Sequence, residues 1–307
     1  MDHKWSLTTL TFALLLAACG GVTPAASGPT TLSDDLGRTV SLPAPARSIV
    51  SLNPAGTEIL FAVGAGAQVI GRDMFSDYPP EAASIPEIGG SMGEYNLEAI
   101  LALQPELVLA QGGGFNPPEL VAALEELGLT VFVLPNPHSL EEMFDNLGTV
   151  GTLTGHEAEA AALVELLAAR LSAVDAAILP ISSQRSVYYE LDATNPSQPY
   201  TAGPGTFVDL LIQRAGGYNI GSELEGQWAT ISVEILLVAD PDIIILGDAA
   251  YGETPEKVAA RPGWEALTAV QNAQVFAIDD NLVSRPGPRL VDGLEALVSL
   301  LHPGLLK

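Results

Sequence analysis

The strongest constraint on the fold is an alternation of short apolar runs with helical stretches, which occurs twice in the 307-residue chain. Strands and helices that alternate at this spacing predict parallel sheets covered by crossover helices. The predicted strands span residues 48–52, 69–71, 107–110, 131–134, 187–190, 243–246 and 275–278. The predicted helices span residues 57–63, 97–103, 118–127, 207–214, 264–270 and 289–301.

The two halves of the chain share two spacing motifs. Glu98 and Glu234 each stand seven residues before a proline that opens an apolar run. The segments 58–66 and 209–217 each begin with an acidic residue and end with glycine. Two matches in the same order predict two similar α/β lobes, the first with about 15 extra residues between its motifs.

The stretch between the halves has a different composition, because it contains no proline from residue 139 to residue 179. Its second part, 157–178, is rich in Ala, Leu and Glu and predicts one helix of about 22 residues, about 30 Å long. The predicted fold class is therefore α/β: two similar lobes, each a central mostly parallel sheet with flanking helices, bridged by one long rigid helix. The predicted lobes are residues 31–138 and 181–307, and the bridging segment is 139–180.

The N-terminal sequence predicts export. Lys4 precedes an apolar run at 10–16, which is too short to span a bilayer, and small residues lead to Cys19. Leu-Ala-Ala-Cys resembles the lipobox of bacterial lipoproteins, which implies a signal peptide at 1–18 and lipid attachment at Cys19. The alternative is an ordinary secretory signal with an incidental cysteine. Residues 19–30 are rich in Gly, Ala, Ser, Thr and Pro and predict a flexible tether.

The charge balance excludes nucleic acid as a partner. The chain has 12 Lys and Arg against 37 Asp and Glu, a net charge of −25 that is spread along the sequence. Such a surface repels polyanions and favours solubility. Since Cys19 is the one cysteine, an intramolecular disulfide is impossible and the core alone must hold the fold.

The sequence offers no catalytic motif in its required context. It contains no Gly-x-x-x-x-Gly-Lys and no His-Glu-x-x-His, and its one Gly-x-Ser-x-Gly match, at 89–93, does not stand at a predicted strand-to-helix turn. His138, His156 and His302 do not cluster, so the sequence predicts no catalytic residue, no metal site and no cofactor. An extracellular enzyme and a purely structural lipoprotein stay as alternative classes, although a structural role does not require paired lobes with aromatic loops.

The ends of the predicted strands indicate where a ligand would bind, because parallel sheets bind ligands at their carboxyl edge. Glycines at 112–114 let a ligand approach the backbone, and aromatic side chains in loops offer flat apolar area with a polar tip. Each aromatic residue alone is equally explained by packing. Together they predict a wide, largely neutral cleft for a large amphipathic ligand.

Glu98 and Glu234 each follow a predicted N-cap residue by two positions. Acidic residues there stabilise a helix by about 0.3–1 kcal/mol, which is reason enough for their presence. The repeat suggests a second role, in which one exposed carboxylate on each lobe binds arginines of a two-fold membrane partner.

These residues together resemble a known family, the solute-binding proteins of ABC importers for cobalamin, haem and ferric siderophores. The resemblance covers nearly the whole mature chain and rests on Asp-x-x-Gly-Arg at 34–38, Ser-Leu-Asn-Pro at 51–54, Asn-Leu-Glu at 96–98 and Ala-Gly-Gly-x-Asn-Ile at 215–220. The segments 76–82 and 200–205 look like the cobalamin-binding branch.

The resemblance implies a receptor that captures a corrinoid, with ferric siderophore or haem as the alternative, and delivers it to an ABC importer made of a permease and an ATPase. It implies a monomer with limited hinge motion, held at the membrane by its lipid anchor, that performs no catalysis itself. The transporter-docking carboxylates would be Glu98 and Glu234. The implied ligand-binding residues are Tyr78, Met92, Gly112, Gly113, Tyr200, Trp228, Asp280 and Arg285.

Overall fold

The structure is a computed structural model that describes residues 28–91 and 93–306. The predicted signal peptide, Cys19, most of the predicted tether and Met92 lie outside the described residues. Among the residues described, no helix combines the length and the apolar character needed to cross a membrane.

The first half of the chain forms a four-stranded parallel sheet in the order β4-β3-β7-β8. Its two strands β7 and β8 are buried at every position, as expected of parallel strands covered on both faces. All four predicted strands of this half are confirmed. The elements are β1 Thr30–Ser33, β2 Thr39–Leu42, β3 Ile49–Ser51, α1 Pro54–Ala62, β4 Val69–Arg72, β5 Gly89–Ser91, β6 Glu94–Tyr95, α2 Leu97–Leu103, β7 Leu107–Gln111, α3 Pro118–Glu126 and β8 Val131–Leu134.

Two helices follow. They are α4 Leu140–Thr154 and α5 Glu157–Ile178, which pack on each other. The bounds of α5 confirm the predicted long helix. Gly155 separates the two helices, since its φ of 77° is a left-handed conformation that glycine adopts readily.

The second half repeats the first. Its sheet has the order β11-β9-β13-β14 and is again fully parallel. In each sheet the first strand in sequence, β3 or β9, lies between the second and the third, and the fourth is at the edge. The two-lobe α/β fold class is confirmed. The elements are β9 Arg185–Glu190, β10 Tyr200–Ala202, α6 Phe207–Arg214, β11 Gly217–Asn219, β12 Trp228–Thr230, α7 Val233–Ala239, β13 Ile243–Leu246, α8 Pro255–Ala259, α9 Thr268–Gln271, β14 Val275–Ala277, α10 Asn281–Ser284 and α11 Leu290–Leu301.

One predicted helix of this half is wrong as a single element. Residues 264–270 form a 3₁₀ turn at Trp264–Ala266 and then the short α9, with extended backbone at Leu267 between them. Trp264 and Leu267, on either side of the break, are each 1% exposed and belong to the core of the second lobe.

The repeat is visible in the ends of equivalent helices. In α2 the side chain of Asn96 accepts a hydrogen bond from the amide of Ala99, and in α7 Ser232 accepts one from Ile235. Both helices have seven residues, and each ends at a non-glycine residue with positive φ, Gln104 or Asp240. The shared caps show that the two lobes build this turn in the same way.

The lobes share one apolar core. A single cluster of buried side chains runs from Ile49 in β3 through Leu171 in α5 to Val187 in β9 and Leu294 in α11. Arg170 of α5 adds ion pairs to Asp292 and Glu295 on α11. The bridging helices are therefore part of the core of both lobes and not a free linker.

Candidate functional site

A cleft lies where the carboxyl ends of the two sheets face each other. Its central pocket has a volume of about 320 Å³ and is mainly apolar. The first lobe supplies residues that follow β3 and end β7, and the second supplies residues that follow β9 and β14. The lining residues are Asn53, Pro54, Ala55, Gln111 and Phe115 from the first lobe, and Leu191, Trp228, Asp280, Ser284, Arg285 and Pro286 from the second.

Two further pockets extend this cleft. A pocket of about 180 Å³ shares Phe115, Trp228, Ser284 and Pro286 with the central one. It shares lining residues at the start of α6 with a third, more polar pocket of about 540 Å³ that extends along α6. Since ligand sites usually span about 300–1,000 Å³, the joined pockets are large enough for a large ligand with one apolar and one polar end.

Four of the predicted ligand-binding residues line these pockets. Trp228, Asp280 and Arg285 line the central pocket, and Gly113 lines the adjoining one. Trp228 is 49% exposed at the start of β12, so its ring presents a free face to the cleft. The fold thus brings these four residues together from both lobes.

The other predicted residues lie elsewhere in the described part of the chain or outside it. Tyr78 packs under the guanidinium of Arg289, with 3.8 Å between the Arg289 Cζ and the ring centroid. Gly112 stands against Asp35, whose carboxylate occupies the place where a Cβ would be. Tyr200 pairs with Thr230 across the β10–β12 hairpin. Met92 is outside the described residues.

Asp280 is held in a fixed orientation in the cleft. Its Oδ1 accepts a hydrogen bond from the Tyr189 hydroxyl at 2.6 Å, and its Oδ2 accepts one from the Ser284 hydroxyl at 2.7 Å. Burial, and then the negative charge of Asp280, raise the pKa of Tyr189 well above its usual value. Tyr189 therefore stays a proton donor, and Asp280 keeps lone pairs that can accept from a ligand.

Arg285 is the cation of the central pocket. Its Nη1 lies 2.7 Å from Oδ1 of Asp77 and 3.4 Å from Oε1 of Glu58. Partial burial raises the pKa of Asp77, but the hydrogen bond and charge of Arg285 outweigh it and leave that pKa below its usual value. The guanidinium therefore connects the second lobe to the first at the edge of the cleft.

A second arginine makes a deeper contact between the lobes. Glu58 in α1 is buried, and Arg289 binds both of its oxygens, with Nε–Oε2 at 2.9 Å and Nη2–Oε1 at 2.5 Å. The sequence singles out Glu58 as a repeat marker and as part of the family motif that begins at Ser51, but nothing in the sequence predicts its partner. Its burial in a helix that faces the other lobe is a tertiary property.

Phe115 is a main cleft residue that belongs to a strand-end segment of the sequence but is not among the implied ligand-binding residues. It is 57% exposed and lines two of the pockets. A signal was present, because Phe115 ends the glycine run that follows β7. Glu190 ends β9 in the same way but is buried, and Arg261 binds both of its oxygens at 2.6 and 2.7 Å. Asp248, which follows β13, is buried as well.

Glu98 and Glu234 are exposed in the first turns of α2 and α7. A crossover helix starts at the carboxyl edge of its sheet, so both carboxylates lie on the side of the molecule where the cleft opens. The pKa of Glu234 is lowered by hydrogen bonds from its own backbone amide and from the Ser232 hydroxyl. It is therefore charged at neutral pH.

Comparison with known proteins agrees with this geometry. The model of a family described as "Periplasmic binding protein" matches residues 49–282. A Halobacterium salinarum relative named "Cobalamin-binding protein" is 30% identical over 285 residues, which cover 91% of this chain and 75% of the relative. A Bacillus subtilis relative named "Uncharacterized ABC transporter substrate-binding lipoprotein YvrC" is 27% identical over 305 residues, which cover 96% and 95% of the two chains.

Solved structures share the fold. The periplasmic haem-binding protein RhuT from Roseiflexus sp. RS-1, in its apo form, superposes with a TM-score of 0.75 at 27% identity. The match covers 85% of this chain and all of that one.

Proposed function

The chain belongs to the periplasmic binding protein family, and on that premise we propose that it captures a corrinoid, with cobalamin as the first candidate, outside the cytoplasm. It then delivers the ligand to an ABC importer, whose ATPase supplies the energy. The chain itself contributes binding and recognition rather than catalysis.

The observation that carries this proposal is the cleft between the carboxyl ends of two like sheets. Its centre is mainly apolar, and it continues into a polar pocket. A corrinoid has the same division, a wide ring with apolar faces and a rim of polar amide groups. The named corrinoid binder among the relatives supports the choice.

The cleft residues have complementary roles in this proposal. Trp228 and Phe115 cover a face of the ring, because half-exposed aromatic side chains gain from burial against flat apolar surface. Asp280 accepts hydrogen bonds from amide groups on the rim, and Arg285 donates to carbonyl or phosphate oxygens. Gly113 lets the ligand approach the backbone. Gly112, Tyr78 and Tyr200, which do not line the three pockets, and Met92 belong to the proposal as residues of the surrounding loops.

Titration of the mature chain with cyanocobalamin tests the proposal. Binding can be followed by tryptophan fluorescence, because cyanocobalamin absorbs light and quenches it, and the mature chain has only two tryptophans, Trp228 and Trp264. We expect quenching with a micromolar or lower Kd. In W228F the remaining Trp264, 1% exposed in the core, should report binding that is weaker by about tenfold. Tight binding of a ferric siderophore without cobalamin binding would refute the corrinoid assignment.

Haem is the second candidate, since the haem binder RhuT shares the fold along its whole length. The same titration with haemin separates the two ligands. Preference for haemin over cyanocobalamin by more than tenfold would establish the second candidate in place of the first.

We further propose that the mature chain is anchored through Cys19 and docks on the importer through Glu98 and Glu234. The named lipoprotein relative supports the anchor. The exposed carboxylates at the cleft edge of both lobes support the docking role. Each would pair with an arginine of a two-fold permease, where charge-assisted hydrogen bonds give orientation as well as affinity.

Reversal of both charges tests the docking role. The variant E98R/E234R should lose uptake of cobalamin in cells while it binds cyanocobalamin as the wild type does. The matched control is E119R/E256R, which reverses two other exposed first-turn glutamates and changes the net charge equally. Normal uptake by E98R/E234R would leave only the stabilisation of the helix dipole as a role for these residues.

A further inference from the structure

Helix α7 presents two large apolar side chains to solvent beside Glu234. Ile235 is 53% exposed and Val238 is 88% exposed. Residues three and four apart on a helix are neighbours, so Val238 adjoins both Ile235 and Glu234. We call Ile235 and Val238 the α7 patch.

The other lobe provides a direct comparison. Helix α2 has the same length and the same kind of caps as α7, and the repeat offset that aligns Glu98 with Glu234 aligns Ala99 with Ile235 and Ala102 with Val238. On α2 the exposed large apolar residue near Glu98 is Leu101, at 40%. The acidic residue is thus common to both lobes, whereas the patch belongs to one.

The fold does not explain the α7 patch. Packing of α7 on the second lobe uses Leu236, which is fully buried, while both patch residues face away from the core. Branching at Cβ also lowers helix propensity relative to alanine, so the patch weakens a seven-residue helix that the alanines of α2 would favour. Single exposed apolar residues are ordinary, but this adjacent pair lies against the proposed docking carboxylate.

We propose that the α7 patch is the apolar part of the docking surface for the membrane domain of the importer. Its partner is a protein surface that places apolar side chains next to the cation that binds Glu234. The chain has a net charge of −25, so an uncharged apolar patch stands out from its acidic surface. The carboxylate of Glu234 beside the patch favours a cationic partner. Docking is then unequal, with the second lobe bound more tightly than the first.

This inference rests on the proposed docking function and extends it. The two contributions differ in their response to salt, because screening weakens exposed charge pairs and leaves apolar burial intact. The affinity that remains at high ionic strength therefore reports the contribution of the α7 patch to binding, and the affinity that is lost reports the contribution of the glutamates.

The test is the affinity of the mature chain for its importer in lipid nanodiscs, at low and at high salt. The variant I235A/V238A gives α7 the surface of α2 and should bind the importer about tenfold more weakly at both salt concentrations. Its affinity for cyanocobalamin should not change. The reverse variant A99I/A102V should bind the importer more tightly.

The matched control is L166A/L179A, which removes two exposed apolar side chains, one in α5 and one at its C-cap, away from both docking helices. It should bind the importer as the wild type does. If I235A/V238A binds normally while E98R/E234R does not, the inference is overturned and the proposed docking function stands. If neither variant is affected, both are overturned.

Sedimentation of the chain alone excludes a different occupant. A dimer that I235A/V238A converts to a monomer would show that a second copy of the chain covers the patch, which also overturns the inference. A monomer at all concentrations, together with the weaker importer binding of I235A/V238A, supports it.

Discussion

Asp248 is a buried carboxylate next to other carboxylates. It is 4% exposed after the end of β13, and its Oδ2 accepts a hydrogen bond from the Ala193 amide at 3.2 Å. Its Oδ1 has no hydrogen-bond partner within residues 28–91 and 93–306. Burial, reinforced by the charge of Glu190, raises the pKa of Asp248 to about 7.

This pKa makes stability depend on pH in a defined direction. Between about pH 4 and pH 7 the folded chain binds a proton at Asp248 that the unfolded chain has released. The folded state is therefore destabilised as pH rises through this window. The variant D248N removes the titration, so its free energy of unfolding relative to wild type should increase by about 1–3 kcal/mol from pH 5 to pH 8.

Urea unfolding at the two pH values measures this difference. The control is D192N, because Asp192 is exposed next to Ala193, and hydrogen bonds from the Thr194 hydroxyl and then its amide lower the pKa of Asp192. Asp192 titrates below this window, so D192N should show no change between pH 5 and pH 8. An equal difference between D248N and wild type at both pH values would contradict the assigned titration.

At the scale of single residues, the sequence predicts where polar groups lie but not which groups they contact. Asp280 follows the last strand and lines the cleft, as the strand-end rule expects. Glu190 and Asp248 satisfy the same rule, yet both are buried, Glu190 against Arg261 and Asp248 against the Ala193 amide. The difference depends on side-chain packing between segments far apart in sequence, which no local pattern encodes.

At the scale of elements, the central strands are predictable because they are buried on both faces. Strands β8 and β13 are unbroken runs of apolar, β-branched and aromatic residues, and the structure gives both with the predicted bounds. The edge strand β11 and the hairpins β5–β6 and β10–β12 have two or three residues each. Such elements contain too few residues for a periodic signal and exist through pairing with the sheets.

The two bridging helices also differ in how far their local sequence predicts them. Helix α5 is rich in residues with high helix propensity, and its composition predicts it fully. Helix α4 contains Gly148, Gly151 and three threonines, which local propensity disfavours. It forms because nine of its side chains or backbone positions are buried in the shared core. Tertiary packing determines this helix, and propensity alone would miss it.

At the scale of the whole molecule, two features resist relative motion of the lobes. The apolar core continues from one lobe through α4 and α5 into the other. The buried Glu58 on α1 binds Arg289 at the start of α11 and is approached by Arg285. Ligand capture in this chain is therefore expected to proceed with small rearrangements at the cleft edge rather than with a wide hinge opening.

Variants of the Glu58–Arg289 pair test how much this contact between the lobes stabilises the fold. The variant E58Q leaves two guanidinium groups without their buried carboxylate and should lower the free energy of unfolding by about 2–4 kcal/mol. Neutralising the exposed carboxylate of the same cluster in D77N should cost less than about 1 kcal/mol. Both values follow from urea unfolding monitored by circular dichroism.

A double-mutant cycle isolates the contact itself. Replacing both partners in E58Q/R289M removes the uncompensated charge, so the double variant should lose less stability than the two single variants add up to, by roughly 1–3 kcal/mol. Strict additivity would show that the two groups do not interact across the lobes. A coupling of the expected size, together with one unfolding transition, would identify the pair as the polar counterpart of the continuous core.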